Sequence, residues 1–344
     1  MRSSLQRRNP WLRMLRSSGL QDSLALIIML ILILLIMSLA SKLFLTPRNL
    51  INLLIDSTTV GIIAVFSTML MIGGGLDLSV AATAALCGVV IGSLQTSLGI
   101  WPAVLIAMGA GGLVGLVNGF LVTYVGINAL ITTLGMLSIA RGLAFVFSNG
   151  LTIPVFDRTG EKLAAYDAFA NFSEGRLLGV PYPVLVMLGF FIIGMIILHL
   201  TTYGRAMYAI GGNEEASQLA ALPVRRYRMT AYVLSGLSAA VAAVFLTSRL
   251  YAADPRAALG VELTVITAVV LGGTSLAGGQ GNLGGTLLGV MILSSLLNGM
   301  KLQSTSTELQ NIAQGLVLLL AVGIDQVRQG KLRVRFTKVR GKDS

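Results

Sequence analysis

The seven residues from 73 to 79 read Gly73-Gly74-Gly75-Leu76-Asp77-Leu78-Ser79 and separate two long apolar stretches. Three consecutive glycines disrupt a helix, because glycine leaves the backbone free and covers none of it. At membrane depth, freed backbone groups are tolerated only against protein or water. The stretch therefore predicts a broken or re-entrant segment near 73–80, set among helices that pack around it.

Asp77 is the charged residue of this break. A carboxylate at the start of the following helix can cap exposed N–H groups. A charged side chain at the bilayer centre costs about 3 kcal/mol or more. Asp77 therefore either lines a hydrated path, together with Ser79, or caps the next helix at the membrane interface.

The composition on either side of this break indicates a membrane protein. Of the 344 residues, 55% are hydrophobic and 11% are charged, whereas a soluble domain carries about 25% charged residues. An apolar excess of this size must face lipid. A spanning helix needs roughly 20 apolar residues, so the chain has room for about ten spans.

Apolar runs predict an all-α, polytopic membrane protein with about ten transmembrane helices. The first run, Ser23–Ala40, is longer than an ordinary signal-peptide core and is interpreted as an uncleaved span. The predicted helices are 22–42, 49–72, 77–97, 101–124, 128–148, 182–202, 229–249, 261–276, 283–300 and 308–326. If 49–80 or 261–285 is re-entrant, the count falls to eight.

Charge placement predicts the domain organisation and the orientation. Basic tails at 1–21 and 327–344 flank a transmembrane domain at 22–326, which contains polar loops at 149–181 and 203–228. The net charge of +11 resides largely in these tails. With both termini in the cytoplasm, about twice as many Lys and Arg residues lie inside as outside. Nucleic-acid binding is disfavoured because no aromatic platform or recognition motif accompanies the tails.

A second glycine-rich break lies at 271–282 and includes Gly272, Gly273, Thr274 and Ser275. It resembles a phosphate-cradling loop only superficially, because the Gly-Lys-Ser/Thr ending is missing. A structural turn or a gate between two broken spans is the better interpretation. A short echo, Gly115 to Gly119 against Ser295 to Gly299, suggests internal duplication, as in many transporters.

Polar side chains within the predicted spans include Asn118, Thr132, Thr133, Ser138 and Arg141. Such residues usually bond to neighbouring helices, and a minority line a transport path. A pairing of Arg141 with Asp77 stays open. The sequence contains no arrangement of serine, histidine and acid that would indicate catalysis.

The loop at 203–228 carries the signals of a short surface helix. Asn213 suits an N-cap, Glu214 and Glu215 suit the first turn, and Pro223 ends the segment. Ala216 and Leu219 give the helix a partly apolar face. It either rests on lipid or docks a soluble partner.

Taken together, these segments resemble the permease subunits of ribose-, xylose- and arabinose-type ABC importers over nearly the whole chain. The matching motifs occur in the family's order at 44–50, 74–80, 118–119, 131–136 with 141–142, 204–216 and 270–279. The chain departs from the family pattern at Ala221-Leu222-Pro223, where a change bears on pairing with the ATPase, and at Leu76.

The resemblance implies an importer-permease fold in the bacterial inner membrane and a second permease copy or paralogue. It also implies a periplasmic substrate-binding protein and a cytoplasmic ATPase subunit, which would bind the ATP and Mg, so that no cofactor belongs to this chain. Path candidates are Asp77, Ser79, Asn118, Thr132, Thr133, Arg141, Gly272, Gly273, Thr274 and Ser275. Residues implied in coupling to the ATPase are Gly204, Arg205, Gly211, Asn213, Glu214, Glu215, Ala216 and Leu219.

Other functions remain open at this stage. A permease of the same kind could carry an autoinducer, a polyol, a nucleoside or a branched-chain amino acid. An ion-coupled secondary transporter would bury coupling carboxylates in its spans, where only Asp56 and Asp77 are candidates. A passive channel is disfavoured by the predicted cytoplasmic docking helix.

Overall fold

The helices dominate the computed structural model, which describes residues 18–155 and 163–328. In chain order they are α1 (Ser18–Ala40), α2 (Pro47–Ile72), α3 (Val80–Leu98), α4 (Ile100–Phe120), α5 (Ala129–Ser148), α6 (Leu163–Glu174), α7 (Tyr182–Leu200), α8 (Thr202–Gly212), α9 (Glu214–Leu219), α10 (Val224–Leu250), α11 (Val261–Leu271), α12 (Leu283–Leu302) and α13 (Thr307–Arg328). A π-helical turn at Leu121–Val125 follows α4 directly. The all-α prediction is confirmed.

Strand structure in the described part of the chain is limited to two small antiparallel pairs. β1 (Ile153–Pro154) pairs with β4 (Ala252–Ala253), with Ile153 opposite Ala253. β2 (Arg176–Leu177) pairs with β3 (Val180–Pro181). The Gln95 amide on α3 donates a 2.6 Å hydrogen bond to the Pro154 carbonyl, which fastens the first pair to the bundle.

Eight helices of the described residues are long and apolar enough to cross a membrane. They are α2, α3, α4 with its π-helical extension, α5, α7, α10, α12 and α13. The apolar part of α1, Leu24–Ala40, and α11 are shorter. The breaks predicted near 73–80 and 271–282 separate α2 from α3 and α11 from α12.

Local signals explain several helix starts. The Thr46 hydroxyl accepts from Asn49 N at 3.4 Å, and Pro47 occupies the first position of α2, where its missing N–H costs nothing. Asn128 caps α5, and Asn282 caps α12 through a 2.6 Å bond from Gly285 N. Of these starts, the one at Thr46-Pro47 was predicted from the sequence, and the caps at Asn128 and Asn282 were not.

Some predicted bounds were wrong. α10 begins at Val224 rather than at 229. The helix starts directly after Pro223, so its first turns include the basic residues that were assigned to the loop. α11 ends at Leu271 rather than 276, because Gly273 adopts a positive φ of 90°. The loop predicted at 149–181 contains the amphipathic α6, and α8 occupies a stretch in which only the following short helix was predicted.

The core lies around α2, α3 and α10, whereas α13 is peripheral. Of the spanning windows, 78% of α2 is buried but only 11% of α13. Glycines let α4 and α10 approach closely: a Cβ at Gly115 would collide with the Tyr232 carbonyl, and one at Gly236 with the Gly111 carbonyl. Small residues at such crossings permit close helix packing within a membrane.

Candidate functional site

Asp77 connects three helices through its carboxylate. Oδ1 accepts from Ser79 N at 2.9 Å and from Ser79 Oγ at 2.6 Å. Oδ2 accepts from Ser235 Oγ on α10 at 2.9 Å. Asn118 on α4 donates to Ser79 Oγ at 2.9 Å and lies 3.5 Å from Asp77 Oδ1. A buried carboxylate is stable only when donors satisfy it in this way.

Asp77 lies just before the cap position of the following helix. α3 begins at Val80 with Ser79 as its cap residue, the Ser79 side chain makes no capping bond, and Asp77 accepts the N–H of Ser79 itself. Asp77, Ser79 and Asn118 are all buried, with at most 6% of a residue exposed. Their shared geometry holds the first break against α4 and α10.

Arg141 does not pair with Asp77. Its guanidinium donates to the carbonyls of Pro255 and Ala257 at 2.7 and 2.8 Å, which ties α5 to the loop before α11.

The two path-candidate threonines sit near the start of α5. Thr132 and Thr133 are buried in α5, and Thr133 donates to the Ala129 carbonyl. The Arg141 guanidinium and the Thr133 hydroxyl thus make their hydrogen bonds outside the Asp77 cluster.

The second break is a turn stabilised by its own backbone. Ser275 N donates to the Gln280 carbonyl at 3.0 Å, and the Ser275 hydroxyl accepts from Ala277 N at 3.1 Å. Thr274 and Ser275 are buried. Gly272 approaches the backbone of Gly285 on α12 so closely that a Cβ would not fit. The sequence-predicted turn is confirmed.

The two breaks meet each other, although they lie far apart in the chain. Gly279 N donates to the Ile72 carbonyl at 2.8 Å, and a Cβ at Gly278 would lie 3.1 Å from Gly74 Cα. Gly211, near the end of α8, fits between them: a Cβ there would collide with the Ile72 carbonyl and meet Gly279 N. We call Ile72, Gly74, Gly211, Gly278 and Gly279 the glycine junction.

α8 and α9 are fastened to this junction by side chains as well. Tyr208 donates to the Gly281 carbonyl at 2.7 Å. Arg228, in the first turns of α10, donates to the Gly73 carbonyl at 3.1 Å and to Glu214 on α9 at 2.9 Å. Its side chain is 15% exposed. A displacement of α9 would therefore pull on the first break through one guanidinium.

The predicted short helix is present as α9. The Asn213 side chain accepts from Ala216 N at 2.9 Å, and Glu214 and Glu215 stand in the first turn. Arg205, Glu215, Ala216 and Leu219 are exposed, and Leu219 shows 90% of its surface. Gly204 is buried against the carbonyl of Leu198, where no Cβ would fit. The exposed face of α9 is free to contact another molecule.

Sequence reasoning missed Ser235, Arg228 and the backbone contacts of the glycine junction. The only signal for Ser235 was its place in the small-residue run Ser235-Gly236-Leu237-Ser238-Ala239-Ala240, which is typical of close helix packing. No spacing in the sequence links that run to Asp77.

The comparisons with known proteins agree on one kind of protein. Residues 49–322 match the model of the family described as branched-chain amino acid transport system / permease component. The L-arabinose ABC transporter permease protein AraH of Azospirillum brasilense is 42% identical over 84% of this chain and 83% of its own length. No solved structure gives a significant match.

Two ribose import permeases are similar over even more of the chain. RbsC of Bacillus subtilis strain 168 is 38% identical over 90% of this chain and 94% of its own length. RbsC of Escherichia coli K12 is 39% identical over 92% of this chain and 97% of its own length. Matches of this extent, together with the polytopic helical fold, establish that the chain belongs to the family of permease components typified by the branched-chain amino acid transport system.

Proposed function

We propose that this chain is the membrane-spanning permease subunit of an ATP-driven importer and that it forms the path for a monosaccharide. The observation that carries the transport role is the exposed helix α9, which Arg228 and Gly211 fasten to both broken segments. A surface element tied to two breaks is suited to transmit an external movement into the membrane. The sugar assignment is supported by the arabinose and ribose permeases that resemble the chain.

The partners follow from this role. A cytoplasmic ATPase subunit binds ATP and Mg and contacts α9, a periplasmic binding protein delivers the sugar, and a second permease copy or paralogue completes the path. Both termini then lie in the cytoplasm, in line with Arg205, Arg225, Arg226 and Arg228 on the same side as α9. The chain itself hydrolyses nothing.

We propose that the path candidates predicted from the sequence line the route of the sugar. Gly272 and Gly273 adjoin a cavity of about 160 Å³ that Asp325 of α13 also lines. Asp77, Ser79, Asn118, Thr132, Thr133, Arg141, Thr274 and Ser275 are largely enclosed between helices in this conformation. Alternating access would expose part of this set when the glycine junction opens.

Reconstitution tests the proposal. The chain is placed in liposomes with its ATPase and binding protein, and uptake of labelled L-arabinose, D-ribose and leucine is measured with and without ATP. We expect ATP-dependent uptake of a sugar. Uptake by the chain alone, driven by an ion gradient, would instead identify a secondary transporter. ATP-dependent uptake of leucine without sugar would favour the substrate named in the family description.

A further inference from the structure

A groove of about 330 Å³ lies between α11 and α13, away from the Asp77 cluster and the glycine junction. Thr267 on α11 and Asn311 and Gln314 on α13 contribute the polar groups of its lining, with Leu263 and Leu318 beside them. Binding sites for small molecules begin at about this size. None of these three polar residues was singled out as a path candidate from the sequence.

The two amides have no partner inside the described part of the chain. The side chain of Asn311 is exposed and that of Gln314 is half-buried, and no hydrogen bond joins either one to residues 18–155 or 163–328. Both stand within a helix long and apolar enough to span a membrane. A polar group left unsatisfied in lipid costs several kcal/mol. These amides therefore face water, a solute or another chain rather than hydrocarbon.

Helical spacing places the groove-lining residues of α13 on one face of the helix. Asn311, Gln314 and Leu318 recur at intervals of three and four residues and so share one face. Ile312, Leu316 and Leu319 occupy another face and are exposed and wholly apolar, as contact with lipid requires. Asn311 and Gln314 thus form a polar strip beside an apolar, lipid-compatible face of α13.

The chemistry of the strip defines its ligand. Each amide offers both donors and an acceptor. The Thr267 hydroxyl donates to the Leu263 carbonyl of its own helix and the residue is fully buried, so the two amides are the groups that a ligand can reach. No charged side chain is among the residues that line the groove. A neutral molecule with several hydroxyl groups satisfies such a set, whereas a zwitterionic amino acid would leave both of its charges unpaired.

We propose that Asn311 and Gln314 form a contact site for the hydroxyl groups of a neutral sugar on its way across the membrane. This inference rests on the proposed function and adds to it the residues that contact the sugar. The site lacks an aromatic stacking surface among its lining residues, so it holds the sugar weakly and releases it readily.

Thiol labelling tests whether the groove opens to water. Cys87 is the only cysteine of the chain and is buried, so an introduced cysteine is labelled against a low background. In the reconstituted transporter, the Gln314→Cys variant should react readily with a charged, membrane-impermeant maleimide. The Leu319→Cys variant, on the apolar face of the same helix, serves as the control and should react much more slowly. Equal rates for the two variants would overturn the site.

Uptake by the Asn311→Leu/Gln314→Leu double variant tests contact with the sugar. Loss of these hydrogen bonds should lower sugar uptake by about three- to tenfold and change the ratio of L-arabinose to D-ribose uptake, while ATPase activity stimulated by the binding protein persists. Unchanged uptake with an unchanged ratio would overturn the site. Dissociation of the two permease copies in the variant would also overturn it, because the amides would then join chains.

The two proposals fail in different ways. A wild-type complex that transports neither sugar contradicts the proposed function. The labelling contrast between the Gln314→Cys and Leu319→Cys variants needs no substrate, so it still decides whether the groove is a water-filled part of the path.

Discussion

At the scale of single residues, Asp77 carries the highest cost if its partners are removed. Three donors from two residues satisfy its carboxylate, and Asn118 completes the cluster through Ser79. Asp56 makes a useful contrast. It pairs with Arg249 at 2.6 Å and with Lys301 at 3.6 Å, but these side chains are 30% to 56% exposed. Exposed ion pairs contribute little to stability.

Replacement of Asp77 by alanine should lower the free energy of unfolding by about 2–4 kcal/mol, because buried hydroxyl groups lose their carboxyl partner. Asp56→Ala should cost less than about 1 kcal/mol. Thermal unfolding of both variants in the same detergent measures the difference. Equal losses would contradict the role assigned to the Asp77 cluster.

Arg228 supports a second prediction at this scale. Arg228→Ala removes the bonds to the Gly73 carbonyl and to Glu214, so α9 would no longer pull on the first break. In the reconstituted transporter we expect less sugar moved per ATP hydrolysed, with ATP hydrolysis itself retained. Arg226→Ala, an exposed neighbour, is the matched control. A normal ratio of transport to hydrolysis in Arg228→Ala would remove this linkage.

At the scale of elements, the glycine junction joins α2, α8 and the turn between α11 and α12 by backbone alone. The contact between the Ile72 carbonyl and Gly279 N involves no side chain. It is possible only because Gly211 has no Cβ to separate the two. Such a contact cannot be inferred from residue patterns, since glycine-rich turns of many kinds share the same composition.

Adjacent glycines provide the test. Gly211→Ala should destabilise the protein by about 1–3 kcal/mol or rearrange the junction, because the added methyl group overpacks it. Gly212→Ala should be nearly neutral, since its Cβ would meet nothing within 4 Å. Protein yield in membranes, thermal unfolding and transport distinguish the two. Similar behaviour of both variants would show that the close approach is not required.

At the scale of the whole molecule, α9 carries the exposed surface proposed for docking, and α13 is the least buried of the eight spans. Leu219 is 90% exposed on α9. If an ATPase docks there, Glu215→Lys with Leu219→Lys should abolish co-purification of the ATPase without changing the thermal unfolding of the membrane part. Retained binding and transport in this double variant would place the docking surface elsewhere.

The sequence was sufficient for the class of fold and for the position of both breaks. Apolar runs fix spans through length and hydropathy, and Thr46, Asn213 and Asn282 fix helix starts through local hydrogen bonds. The partners of Asp77 and Arg141 were beyond reach, because Ser235 and Pro255 lie more than a hundred residues away from them. Proximity across a bundle depends on helix packing, which a single sequence does not encode locally.

The backbone crossings at Gly111, Gly115, Gly211 and Gly236 also bear on genetics. Where two side chains collide, a smaller residue opposite can restore the fit, so a second mutation can rescue the first. At each of these glycines the nearest opposing atom is a main-chain oxygen, which no codon change can remove. We therefore expect a selection for revertants of Gly115→Val or Gly236→Val to return true reversions rather than suppressors at the contacting residues.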